Sequence, residues 1–494
     1  MKRPLFLLMS ISLLSLSNTY NILCIFPLPS RSHNVLGKAF VDALLNSGHQ
    51  VTWLTAFPEL LGENLQKSAL KVIDVSAAKQ YVAAADLMYR SNTNGPTVLK
   101  MYSTNVTKEI FANQEFREIF INVQFDAVVT DAFFSDSHAG FAAVQQAPWI
   151  LLSTSSLTPE LQAQVDEVRS VATVPIMNDG NIPMHFWERL LNTFRYTAIA
   201  LTGWLDRTPR KHLYKALFNP LAKARGVELP PLEDSYYNVS ILFVNSHESL
   251  GPAFSIPPNV VNIAGYHIPE DVLTLSEDVQ VLLDSSPQGV VYFSIGPVLN
   301  PTIVSTTKLD LLKEFSALNQ TILWESDEKI QGLPKNVVVR GSLPQSSVLA
   351  HPNVQIFVSH GGLLSTLEAV HAGVPLLVVS TSGENSANIE QAVRTGFARR
   401  VSFASSEIAK NLAEEIKEMI SNDSYSKTAK RLSKLFHARP VSPKKLIPHY
   451  VELAIETKGA YHMRSPSHQY PWYQRWMLDQ AVFLLVTLVI LTEL

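Results

Sequence analysis

The sequence predicts an α/β chain of two successive doubly wound halves facing each other across a cleft. Three observations carry this. The chain has 494 residues, more than one hydrophobic core ordinarily organises. Short apolar runs alternate with helically spaced stretches, the rhythm of parallel strands joined by crossover helices. That rhythm breaks over residues 251–270, rich in Pro and Gly (Gly251, Pro252, Pro257, Pro258, Gly265, Pro269), and then restarts.

In the first half, Tyr20 to Phe26 reads as a strand and Pro27 to Ser32 as the loop that breaks it. Val35 to Leu45 has helical spacing, with Gly48 as its C-cap, and His49 to Thr55 is the next strand. Strand, helix, strand in this order is a right-handed crossover unit with parallel pairing. Phe125 to Thr130 is a further strand, followed by a helical stretch from His138. Pro183 to Leu205 carries Phe186, Trp187, Phe194, Tyr196 and Trp204 among few charges. It reads as a membrane-surface helix, a pocket wall or a plain core helix. In the second half Val290 to Ile295, Thr321 to Trp324, Val337 to Arg340, Ile356 to Ser359 and Leu376 to Val379 are strands. Leu309 to Leu318 and Glu407 to Ile420 are helical.

Composition narrows the function. The chain is 46% hydrophobic and 17% charged, which is globular, and its net charge of −3 offers no basic surface for nucleic acid. Met1-Lys2-Arg3, an apolar stretch to Leu16 and then Ser17 make a signal peptide over residues 1–19, too short to span a bilayer. The single cysteine, Cys24, precludes an intramolecular disulfide and reads as a small buried residue. Asn105, Asn238, Asn319 and Asn422 open N-x-Ser/Thr sequons, acceptors of glycans where lumenal and exposed. Tyr470 to Trp476 is aromatic, and Ala481 to Leu491 is apolar apart from Thr487. That run is about half the roughly 20 residues a span needs, so residues 476–494 read as a short or truncated anchor, with a buried terminal helix as the alternative.

The richest stretch for chemistry is Phe357 to Glu368, an apolar strand running into His360-Gly361-Gly362 and then a helix. Glycines let backbone N–H groups approach an anion, and a helix N-terminus favours negative charge. His360 can donate to a diphosphate oxygen. The alternative is structural: Ser365-x-x-Glu368 is also the pattern of a capping box. A second constellation lies in the first half. Ser32-His33 follows the first strand and Asp131 follows the strand ending at Thr130, both at carboxyl ends of strands, where open α/β sheets place their sites. A His oriented by a carboxylate is a general base at neutral pH. The plainer readings are a loop histidine and a helix N-cap. His49, His138 and His371 read as structural.

Gly289 to Gly296, Leu343-Pro344-Gln345, Leu349 to Pro352, Ser359 to Gly362, Glu368-Ala369-Val370 and Gly373-Val374-Pro375 occur in one order whose spacing resembles the donor-binding half of the UDP-glycosyltransferase family. The likeness extends over nearly the whole chain, and Gly361-Gly362-Leu363-Leu364-Ser365 is most similar to the insect members. The resemblance implies a GT-B type fold of two facing Rossmann-like domains. These fall at 20–262 for the acceptor and 263–448 for the UDP-sugar, with a returning helical segment at 449–475. It implies inverting, metal-independent transfer of a sugar from UDP to a hydroxyl of a small lipophilic acceptor, at the membrane or in the lumen of the endoplasmic reticulum. No resident cofactor is implied, since the UDP-sugar is a co-substrate. Homo-oligomers are among the states to test.

By the same resemblance His33 is the base and Asp131 its partner. His360 contacts phosphate with Gly361, Gly362 and Ser365 around it, Glu368 holds the ribose hydroxyls, and Gln345 lies near uracil. Glu384 and Asn385 take the place of the family's Asp-Gln pair for the sugar hydroxyls. Other departures lie beside them. Ser342 replaces the Trp that stacks on uracil, Pro297 a phosphate-holding Ser, Ser380 a Pro, and Ser382 an aromatic residue. Nothing near Glu384 offers a basic partner for a sugar carboxylate, which favours glucose over glucuronate. The departures also raise an alternative: a catalytically impaired relative that binds a lipophilic ligand or a partner.

Overall fold

The computed structural model describes residues 19–61, 68–82, 95–133, 136–165, 175, 183–251, 255–296, 305–380, 387–475 and 477–493. Seven parallel strands form the first sheet: β1 (Asn21–Phe26), β2 (Gln50–Thr55), β3 (Leu70–Asp74), β4 (Ala127–Asp131), β5 (Trp149–Ser153), β6 (Val239–Val244) and β7 (Val260–Asn262). Their spatial order is β3-β2-β1-β4-β5-β6-β7. Six more form the second: β8 (Val290–Ser294), β9 (Thr321–Glu325), β10 (Val337–Arg340), β11 (Val354–Ser359), β12 (Leu376–Ser380) and β13 (Ala398–Ser402). The order there, β10-β9-β8-β11-β12-β13, repeats the plan of the first. These are two Rossmann-like α/β domains.

The strands read as continuous apolar runs because both faces of each sheet are covered. Along β1, Ile22, Cys24 and Phe26 point into one core with Trp53, Phe40 and Phe243. Leu23 and Ile25 point into the other, with Phe116, Phe120, Phe141 and Phe218. The second sheet divides in the same way, Val290 and Tyr292 to one side, Val291 and Phe293 to the other. Cys24 is fully buried and free, and burial pushes its thiol far above the usual range, so it is inert.

The chain returns to its first half at the end. Helix Pro443–Glu456 places Ile447, Val451 and Ala454 in the core of the first sheet beside Leu36 and Phe40. Ile447 and Val451 each contribute roughly 1.5–3 kcal/mol by this burial. The two crossings between the halves are bonded to one another. Arg439 Nη1 donates to Ala264 O at 2.9 Å, and Ser442 Oγ donates to Glu270 Oε1 at 2.8 Å.

Two stretches differ from the compact readings. Helix Phe186–Leu205 is not a core helix, since Trp187, Phe194 and Trp204 are 74%, 65% and 64% exposed. Helix Leu478–Glu493 is not a buried terminal helix, since none of its side chains is buried. Among the described residues no helix is long and apolar enough to cross a membrane. The proposed signal peptide lies outside the described residues except for Thr19.

The histidines read as structural are packed into the framework. His49 Nε2 lies 3.0 Å from Glu452 on the returning helix, and His371 packs on His437 at 4.4 Å. His138 is buried against Thr107 Oγ1 at 3.0 Å, and burial pushes its pKa down to about 3 from an ordinary 6.5. The unfolded chain therefore binds a proton below about pH 6.5 that the folded chain refuses. This contribution to stability is complete above pH 6.5 and is lost as the pH falls toward 3. We expect urea unfolding to show His138 costing about 2 kcal/mol of stability between pH 7.5 and pH 5. His138→Gln should flatten the pH dependence by that amount; an unchanged slope would show that the imidazole is not held neutral.

Candidate active site

Both sheets reverse their strand order, the first between β1 and β4 and the second between β8 and β11. Crossovers leave such a point toward opposite faces and open a crevice at the carboxyl ends of the strands. His33 and Asp131 stand at the first of these places, and Gln345, His360, Gly361, Gly362, Ser365 and Glu368 at the second.

At the first crevice His33 Nδ1 lies 2.9 Å from Asp131 Oδ2, although the residues are 98 positions apart. Two boundaries are corrected. His33 is not in a loop: the helix Arg31–Asn46 has already begun, and its first turn carries Ser32 and His33. Asp131 is not beyond its strand or an N-cap but the last residue of β4. Both groups therefore sit on regular backbone, which fixes them more firmly than a loop could. The Asp131 side chain is 3% exposed and that of His33 19%, so the carboxylate is enclosed while the ring reaches the crevice. With Nδ1–H donating to Asp131, Nε2 is left to accept a proton. Phe133 packs edge-on against the ring at 5.3 Å.

Two neighbours complete this corner without having been singled out in the sequence. Thr154, just past β5, places Oγ1 3.1 Å from His33 Nδ1. Asn34 is fully buried; its Nδ2 donates to Leu28 O and Ser30 O at 2.6 and 2.9 Å, and its Oδ1 accepts from Thr55 Oγ1. Asn34 thereby staples the loop that follows β1 to the end of β2, and so sets where His33 stands. The apolar run Trp149 to Leu152 ending in Ser153-Thr154-Ser155-Ser156 was the available signal for Thr154. An Asn next to a His carries no such signal.

At the second crevice β11 ends at Ser359, His360-Gly361-Gly362 turn, and the helix Leu363–Ala372 departs with Gly362 as its N-cap. The capping-box reading of Ser365 and Glu368 is thereby overturned, because both lie inside the helix. They serve a side-chain cluster instead: Gln345 Nε2 donates to Glu368 Oε2 at 2.8 Å and to Ser365 Oγ at 3.3 Å. His360 is exposed, and its ring lies over Gly296, which follows β8, and over Gly362. A Cβ at Gly362 would stand 2.6 Å from His360 Nε2, so a side chain there would displace the ring. Leu364, in the helix's first turn, packs against the core of the first sheet and brings this helix to the facing half. Ser342 is exposed, and Ser380 ends β12 with Oγ 3.4 Å from Val401 O. Glu384, Asn385, Pro297 and Ser382 lie outside the described residues. Among the described residues no group of three or more His, Cys, Asp or Glu could hold a metal ion.

Two Rossmann-like domains with facing crevices, a His–Asp pair in one and a glycine-rich strand-to-helix turn in the other, define a GT-B glycosyltransferase fold. CalG4, the calicheamicin glycosyltransferase, superposes with a TM-score of 0.59 at 16% identity, over 89% of this chain and 99% of that one. The family profile described as UDP-glucoronosyl and UDP-glucosyl transferase matches residues 25–494, and the chain belongs to this family. UDP-glucosyltransferase 2 of Dactylopius coccus is 30% identical over 96% of this chain and 92% of its own length. UDP-glucuronosyltransferase 2B15 of Rattus norvegicus is 28% identical over 78% and 71%.

The turn at Gly361 has little tolerance. Its φ is +81°, and a Cβ there would meet Val378 Cγ1 at 2.7 Å and Ile389 Cγ1 at 2.9 Å. The left-handed conformation alone costs an L residue about 1–2 kcal/mol. We expect Gly361→Ala to lower the unfolding free energy by at least that much and to abolish UDP binding in calorimetric titration. Wild-type stability in this variant would show that the turn can adjust.

Proposed function

We propose that this chain transfers a sugar, with inversion, from a UDP-sugar to a hydroxyl of a small lipophilic acceptor. The observation that carries the reading is the 2.9 Å contact between His33 and Asp131 at one crevice, facing a nucleotide-type turn at the other. His33 Nε2 takes the acceptor's proton as that oxygen attacks the anomeric carbon. The bond from that carbon to the diphosphate breaks on the opposite side, and UDP leaves with the electron pair. Asp131 orients the ring and stabilises the imidazolium. On the donor side, the N–H groups that open helix Leu363–Ala372 and the His360 ring receive the diphosphate charge, and Glu368 receives the ribose hydroxyls.

Glucose is the favoured donor sugar. Residues 380–387 contain no Lys or Arg to pair with a sugar carboxylate, and the relative at 30% identity is named a glucosyltransferase. A second reading has one observation of its own: exposed Ser342 gives uracil no aromatic face. Losing such a platform costs roughly 1–3 kcal/mol, as in a relative that keeps its lipophilic ligand and binds nucleotide weakly. UDP-glucose and UDP-glucuronate titrated against the purified protein, with product detection on a phenolic panel, separate the two. We expect UDP-glucose binding and turnover, with His33→Ala lowering kcat about 10²–10⁴-fold and leaving UDP affinity unchanged. No donor binding at millimolar concentration would leave only the second reading, and normal turnover by His33→Ala would remove the base.

We place the protein on the lumenal face of a membrane of the secretory pathway. The signal-peptide pattern supports this, as do the exposed apolar faces of helices Phe186–Leu205 and Leu478–Glu493. Asn319 is an exposed acceptor for a glycan. Asn105 is a poor one, because Thr107 of its sequon is buried against His138. We expect the protein to float with phosphatidylcholine vesicles and the triple change W187S, F194S and W204S to reduce flotation severalfold. Equal flotation would assign the contact elsewhere.

A further inference from the structure

His267 lies in the turn that follows β7, in the crossing between the halves, and belongs to neither constellation read from the sequence. Its side chain is 3% exposed, yet neither ring nitrogen makes a hydrogen bond. A buried polar group left in that condition is destabilising, and such groups call for a specific explanation. Glu368 Oε1 lies 3.6 Å from His267 Nε2, just beyond hydrogen-bond reach. The other oxygen, Oε2, is already held by Gln345 at 2.8 Å. The Glu368 carboxylate thus stands between a firm donor on one side and an unsatisfied imidazole on the other.

The adjoining residue ties this turn to the other crevice. Tyr266 is fully buried in the core of the first sheet, and its hydroxyl makes no hydrogen bond. Burial raises its pKa, and the nearby Asp131 carboxylate raises it further. Consecutive residues of one turn therefore neighbour the partner of the proposed base and the proposed ribose ligand.

We propose that His267 is a positioning residue for the nucleotide ribose, closing on Glu368 Oε1 when a cis-diol binds and fixing the carboxylate from the side opposite Gln345. The imidazole donates through Nε2–H to Glu368, the carboxylate accepts from the ribose hydroxyls, and both partners become satisfied together. A ligand without the diol gives the carboxylate no reason to close, so His267 acts on the affinity for the hydroxyls and hardly at all on base or phosphate. This rests on the reading of Glu368 as the ribose ligand.

The test is calorimetric titration of the full chain with UDP and with 2′,3′-dideoxy-UDP. The wild type should prefer UDP by about 100-fold, as expected for charge-assisted hydrogen bonds to a carboxylate. His267→Leu, which keeps the volume of the turn where Ala would leave a cavity, should reduce that preference to below about 10-fold with little change for the dideoxy ligand. His267→Gln, which retains an N–H donor, should restore most of the preference. A His267→Leu variant that keeps the wild-type preference overturns the proposal, as does one that weakens both ligands equally, because packing alone would do that. Wild-type protein that binds neither ligand, or does not distinguish them, removes the reading of Glu368 itself.

Discussion

Parallel strands deliver all their carboxyl ends to one edge of a sheet, and where the strand order reverses, the crossovers on either side turn away from each other. This constraint determines where side chains of this chain can meet. It brings His33 to Asp131 across 98 residues at β1 and β4. It sets the His360 ring against Gly296 at β11 and β8. Neither pair is made by local sequence, and neither could form if the sheets were antiparallel meanders. The apolar covering of both faces keeps the strands parallel and in register, so the cores are as much a requirement of the site as its polar groups.

Much of the fold was legible because parallel sheets write themselves plainly. β1, β2 and the helix between them fell within one to four residues of their expected limits. The helix start was the least legible: Ser32 looked like loop because Pro27 to Ser32 is rich in breakers, whereas Asn34, fully buried, anchors a turn that begins at Arg31. Strands β3, β5, β6, β7 and β13 were not assigned from sequence at all. β7 has three residues, β3 shows only one buried position, β13 carries two arginines, and β5 and β6 are short apolar runs with no helical stretch read beside them.

The candidate site was legible where residue type and strand-end placement mark it and hidden where it depends on tertiary proximity. His33, Asp131 and His360 stand at strand ends or in the first turns beyond them, and that placement marked them, while Glu368, a turn further along its helix, was marked by the family resemblance. Ser365 and Glu368 show the limit. Their spacing matches a cap, and only the helix start at Leu363 shows that both side chains are released to Gln345. Thr154 and His267 carry no motif; one is a hydroxyl after an unassigned strand and the other a histidine in a turn between domains. Tertiary proximity gives them their meaning.

The bonded pair of crossings has a mechanical consequence. A single linker would let one half swivel, twist and drift against the other. Here the chain passes between the halves twice, near Ala264 and near Ser442, and the two passages are clasped by Arg439 to Ala264 and Ser442 to Glu270. Two clasped tethers act as a door hinge rather than a ball joint. Such an arrangement favours opening and closing about the line through the clasp over twisting. When the angle widens, the two crevices part. When it narrows, His33 and the turn at His360 return along the same arc to the same relative orientation, with no search over alternatives.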